Sequence, residues 1–307
     1  MTTVTQYYGI TQNVPFLDVN VHQDNRMYVD PFAVRMGIGP KRFATSANHA
    51  TETFFNMVTR CAVSRSRADH ATGLDLLQHF EEPRETRLGM AAAGFDGHGG
   101  AAGVGADIWD VLTTDAHALV RIGILKQIED MPLFVPGVGN DITSDLTTRV
   151  IYRPLADFTK AMVGKYPALA GGTGLATVSR QTWDPSSLTW KDVDVELPTV
   201  DGQPLLLVPK GWARHELTLS ATRFYDTSLL THVQMQRATR TKDGRLLTTP
   251  KDRLRKEDGL KRSYATIVRQ VEAAYRKDRS DVVEEFKEFA KSRYAPTTDD
   301  MIERRTT

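Results

Sequence analysis

A single cysteine, Cys61, stands among the 307 residues. That excludes an intrachain disulfide framework and any structural zinc site built from several thiolates. No apolar run approaches the roughly 20 residues needed to span a bilayer, so no membrane partner is expected. The first sixteen residues have neither a basic start nor a greasy core, so no secretory leader is expected and a cytoplasmic address follows. Charge of one sign is missing too: 39 Lys and Arg face 38 Asp and Glu, a surplus of one. This excludes a globally basic nucleic-acid binder and leaves a local patch open.

Several catalytic signatures are also absent. Gly105 is followed by Ala106 and Asp107 rather than by Lys and Ser or Thr, so the glycine-rich stretch before it is no Walker A loop. Residues 90–93 give no strand that could lead into a dinucleotide fingerprint. There is no Gly-x-Ser-x-Gly elbow and no His-Glu-x-x-His helix. His49, His70, His79, His117, His215 and His232 are scattered without zinc-ligand spacing.

What is present is a folding composition, 40 % hydrophobic and 25 % charged. The pattern predicts an α+β fold: helices packed around a small mixed or antiparallel sheet, with a helical C-terminal segment. Residues 1–236 form the expected main domain. Residues 237–307 form a basic linker and helices packed on it. A hairpin is expected over residues 16–29, turning at Asp24. A helix capped by Ser46 or Asn48 buries Phe54, Phe55, Val58 and Cys61. Another is expected over 68–80, and a long one over 106–128. Residues 131–138 read as a short buried strand, and a helix carrying Leu146 and Val150 follows. Trp183 and Trp190 fall in an expected surface loop. Asp201-Gly202 is a two-residue hairpin signal between extended runs at 193–200 and 203–209, the latter with four central apolar residues, Leu205 to Val208. The C-terminal helix is expected to break near Asp278–Asp281.

Candidate chemistry centres on the run from Gly137 and Gly139 through Asp141 and Asp145 to Arg149. Carboxylates four apart on a helix share a face, with Arg149 a turn further on. Asp141 and Asp145 are oxygen ligands suited to Mg²⁺ or Mn²⁺, and Gly137 and Gly139 leave helix N–H groups open to a phosphate. The competing reading has Asp141 capping its helix and Asp145 pairing with Arg149 in water. Seven glycines crowd the stretch from Gly89 to Gly105, which reads as a loop. Within it Gly97, Gly99 and Gly100 flank His98, a candidate general base. Glu85 is the candidate third metal ligand. The loop is expected to pack on the N-terminus of the Asp141 helix, bringing Glu85 or His98 to the acidic pair. Lys210 follows the acidic strand Asp192, Asp194, Glu196; carboxylates and a lysine suit metal-dependent nucleases, but a turn separates Glu196 from Lys210 and the compact Asp/Glu-x-Lys order is absent, so the match is poor.

From Arg237 to Arg262 there are ten Lys or Arg and four Asp or Glu, a surplus of six that suits a nucleic-acid backbone. Aromatic residues are missing there, so base stacking is not indicated. Together these features point to a metal-dependent phosphodiester or phosphate-ester hydrolase, of a kind that would suit a nuclease in host–virus conflict. The alternatives are a nucleotide- or protein-binding module, or a structural subunit that oligomerises through its C-terminal helices.

Overall fold

The computed structural model describes residues 2–79, 82–89, 100–171 and 174–297. The fold is α+β, with helices around small antiparallel sheets. The first half holds α1 (Val4–Tyr8), α2 (Pro31–Arg35), α3 (Lys41–Val63), α4 (Arg67–Leu76), α5 (Gly100–Thr113), α6 (His117–Arg121), α7 (Met131–Phe134), α8 (Asn140–Val150) and α9 (Tyr152–Lys165). The second half adds α10 (Ala221–Phe224), α11 (Leu230–Gln236), α12 (Lys251–Leu254), α13 (Tyr264–Asp278) and α14 (Val282–Ser292). A π-type turn, Tyr225–Leu229, joins α10 to α11. None of the described helices is long and apolar enough to cross a membrane.

The central element is α3. Ala44, Ala47, Ala50, Phe54, Phe55, Val58 and Cys61 recur at helical spacing and are all buried. Against this face pack α4, α5, α6, α8 and α9. The helix starts at Lys41 after Pro40, earlier than a Ser46 or Asn48 cap would place it. Cys61 is 1 % exposed, and burial pushes its thiol pKa up.

Among the described residues there are seven strands, β2 and β3 long and the others two residues each: β1 (Tyr28–Val29), β2 (Leu175–Asp184), β3 (Thr189–Val200), β4 (Gln203–Pro204), β5 (Ala213–Arg214), β6 (Thr239–Arg240) and β7 (Leu246–Leu247). The main ladder is antiparallel β2–β3, in register from Leu175 opposite Pro198 to Asp184 opposite Thr189. Trp183 and Trp190 face each other across it. Trp183 is buried edge-on against Phe54 and donates from Nε1 to Thr53. Trp190 donates to the Leu76 carbonyl. The two tryptophans therefore pin a hairpin to α3 and α4 and do not belong to a surface loop. At Asp201 and Gly202 φ is +51° and +78°, the double positive φ of a type I′ turn, and β3 returns as β4.

Other expectations are corrected. Residues 16–29 do not pair as a hairpin. Phe16 bridges Pro209, while Tyr28 and Val29 pair with Arg214 and Ala213. The buried Asn25 side chain is the reason: it ties the intervening turn to the carbonyls of Asn20 and Arg87, so the chain crosses rather than doubles back. Residues 131–134 form a helical turn, not a strand. Leu205 to Val208 are buried, but beyond Pro204 they bond to scattered partners: Leu206 N–H to the Glu85 carbonyl and Leu207 N–H to Thr159 Oγ1.

The helix expected over 106–128 is two helices, broken between Thr113 and His117. It also begins earlier, so Gly100, Gly103 and Gly105 are helical rather than loop residues. Packing explains Gly105. A Cβ there would sit 1.8 Å from the Leu77 carbonyl oxygen. The C-terminal end matches its pattern: α13 and α14 are separated at Arg279–Asp281, and Asp281 caps α14 by accepting from the N–H groups of Val283 and Glu284. The buried Lys287 ammonium lies 2.5 Å from Oδ1 of the fully buried Asp130, fastening α14 to the segment before α7.

Candidate functional site

The 82–89 segment crosses between the N-terminal turn and the β2–β3 hairpin. Arg84–Thr86 form one 3₁₀ turn, closed by Arg87 in the left-handed region at φ +57°. A non-glycine residue held there stores about 1–3 kcal/mol of strain, so its surroundings must over-determine it. Asn25 does so: its backbone N–H and its side-chain amide both donate to the Arg87 carbonyl at 2.8 Å. The Arg87 guanidinium in turn donates to the carbonyls of Val21 and Arg84. It forms no ion pair with any described residue, and burial lowers its pKa. A partly desolvated cation thus hydrogen-bonds to carbonyls, while the charges of Glu85 and Asp24 offset part of its burial.

Arg87 does not stand alone. A cavity of about 500 Å³ is walled by Arg84, Arg87, Arg149 and Arg180, with Glu82 and Glu85 as its carboxylates. Four guanidiniums against two carboxylates leave two positive charges. Arg149 comes from the last turn of α8 and is only 4 % exposed. It donates to the Glu82 carbonyl at 3.3 Å and lies 5.8 Å over the Tyr152 ring. Arg180 comes from β2 and pairs with the buried Glu85. Further cavities of about 550 and 380 Å³ share walls with this one. The first adds His22, Asp24 and Asp201, and the second adds His79, Gln181 and Asp192. The three adjoin through these shared walls and together are called the groove.

The acidic pair lies beside it. Asp141 is exposed on the first turn of α8, and Gly139 stands at the N-cap without a side-chain bond. Gly89 approaches so closely that a Cβ would be 3.4 Å from Asp141 Oδ1. The Asp145 pKa is raised to about 8, by burial first, then by the charges of Asp141 and Glu82, with Arg149 opposing. Two carboxylates and a nearby glutamate therefore crowd, and Arg149 offsets only part of their repulsion. Among the described residues no group of three or more His, Cys, Asp or Glu is placed to hold a metal ion.

The remaining candidates divide. Glu85 joins Arg149 in the groove, with its carboxylate engaged by Arg180 and the Tyr152 hydroxyl. Lys210 is not part of the groove wall; its ammonium donates to Asn13 Oδ1 at 3.3 Å. Gly137 has φ +79° in the turn before α8, and Gly100 opens α5. Gly97, His98 and Gly99 lie outside the described residues, as does the body of the expected loop. Arg180, His22 and Asp201 were not singled out as site residues from sequence, because only the fold brings them to the 82–89 segment.

The basic stretch is largely occupied with itself. Arg237 pairs with Glu257, Arg255 with Asp226 and Asp252, and Lys261 with Asp258. Lys242, Arg245, Arg253 and Lys256 are exposed and form no ion pair with a described residue.

Residues 9–220 match the family model described as a domain of unknown function, DUF8370. The chain belongs to this family. No curated protein and no solved structure matches it. Every groove residue falls inside the DUF8370 region. The basic stretch and the last helices follow it.

Proposed function

We propose that the DUF8370 groove binds a phosphate ester and hydrolyses it with a divalent cation held at Asp141 and Asp145. The observation that carries this reading is the cavity walled by Arg84, Arg87, Arg149 and Arg180, in which the strained, half-buried Arg87 hydrogen-bonds only to carbonyls. Guanidinium forks match phosphate oxygens, and the burial of Arg149 strengthens its contact. Burial first, and then the charges of Asp141 and Glu82, raise the Asp145 pKa, and a bound divalent cation would offset both. A nucleic-acid strand is the larger ligand this reading admits. Its proposed contacts outside the groove are Lys242, Arg245, Arg253 and Lys256.

The test measures binding and turnover separately, with p-nitrophenyl phosphate and its diester in Mg²⁺ or Mn²⁺. R87Q should weaken phosphate binding at least tenfold. D141N/D145N should abolish turnover and the heat of metal binding while leaving phosphate binding in place. Unchanged phosphate binding in R87Q removes the groove from the reading. Unchanged metal heat in the double variant removes the cation from Asp141 and Asp145.

A further inference from the structure

A second arginine cluster lies away from the groove, where the end of the DUF8370 region meets α14. Arg214 comes from β5, Arg223 from α10, and Arg293 follows α14. One helix end arranges all three. Arg223 lies 6.0 Å over Phe286, Arg293 lies 4.5 Å over Phe289, and Arg214 lies 4.5 Å over Tyr294. Phe286, Phe289 and Arg293 recur at helical spacing, so the guanidiniums are spread along one flank of α14.

Their hydrogen bonds leave the charge uncompensated. Arg214 donates to the Ala295 carbonyl and Arg223 to the Thr218 carbonyl. None of the three forms an ion pair with a described residue. Asp30, on which the charge of Arg214 acts, is fully buried, and its carboxylate already accepts from Thr218 N–H, Thr218 Oγ1 and Phe32 N–H. The Arg223 pKa is lowered by burial and then by the positive charges of Arg214 and Arg293. Like charges from the neighbouring Arg214 and Arg223 and from the remote Arg293 are therefore gathered by tertiary packing. Each guanidinium lies over an aromatic ring, a neutral partner that leaves its charge in place.

We propose that Arg214, Arg223 and Arg293 form a second anion site that takes a phosphate group. Three cations without a carboxylate favour a ligand of more than one negative charge, such as a pyrophosphate or neighbouring phosphates of a polynucleotide. The site shares no residue with the groove walls, so it stands whether or not the groove reading holds.

Calorimetric titration at low salt tests it, with inorganic pyrophosphate in one arm and a single-stranded 12-mer oligonucleotide in the other. R214Q/R223Q/R293Q should lose one class of site, and R293Q alone, changing an exposed side chain, should weaken that class at least tenfold. R84Q/R87Q should keep it. Binding by pyrophosphate identifies a small ligand, and binding by the oligonucleotide alone identifies a polymer. Far-UV circular dichroism checks that the triple variant folds, and R293Q decides the matter if it does not. Isotherms of R293Q that overlay the wild type, or no binding of either probe by the wild type, overturn the proposal.

Discussion

Asp145 carries two opposite pressures on one side chain. Buried beside Asp141 and Glu82, its carboxyl holds its proton up to about pH 8, whereas in the unfolded chain it releases it near pH 4. A raised folded pKa contributes stability below the unfolded value, and this is lost as pH rises through the folded one. Replacing Asp145 by Asn, which cannot ionise, should therefore leave thermal stability little changed at pH 4. It should raise the melting temperature progressively between pH 5 and 8, with the gain level above about pH 9. A pH series of calorimetric scans checks this, and a gain that shrinks as pH rises contradicts it. The i, i+4 spacing of Asp141 and Asp145 was legible because it needs only a helix. The pressure on Asp145 was not, because Glu82 arrives from 63 residues away in sequence.

Among elements, the contrast between two glycines shows what a sequence pattern can and cannot say. Glycine-rich residues predicted a loop before α5, because glycine is costly in a helix. Gly105 is helical because only hydrogen fits against the Leu77 carbonyl. Gly105→Ala should destabilise by about 1–3 kcal/mol, because backbone must yield to the added methyl. Gly164 in α9 meets nothing within 4 Å. Gly164→Ala should stabilise by about 0.5–1 kcal/mol. Urea unfolding of both variants checks the opposite signs. Local chemistry made other elements readable. Asp201-Gly202 demanded positive φ twice, and Asp281 stood where a helix needs a cap. The hairpin over 175–200 was half missed because β2 exposes Leu175, Thr177 and Ser179, and so lacks a clean apolar alternation. In the basic stretch, the cations already paired on the surface should matter less than those that are not. Removing Lys242, Arg245, Arg253 and Lys256 together should flatten the salt dependence of oligonucleotide binding by roughly 0.7–0.9 for each phosphate no longer neutralised. Removing Arg237, Arg255 and Lys261 should change that slope less.

Across the whole molecule, one apolar cluster runs from Val4 to Ala290, so the helices after the DUF8370 region share the core of the helices within it. The buried Lys287–Asp130 pair crosses that join. Lys287→Met strands a fully buried carboxylate, whose pKa burial already raises. It should cost about 3–5 kcal/mol at neutral pH, and part of this should return when Asp130 is also made apolar. Denaturation of the single and double variants measures both. Composition promised material for a core but not which charge would be sealed inside it. The lone thiol offers a way to watch that core as a unit. Cys61 sits on α3, where the other helices meet, and a bulky disulfide reagent reaches it only when the helices part. Its labelling rate in native buffer is then a clock for how often the whole assembly opens. Lys287→Met should quicken the clock in proportion to the stability it removes, and Gly164→Ala should slow it.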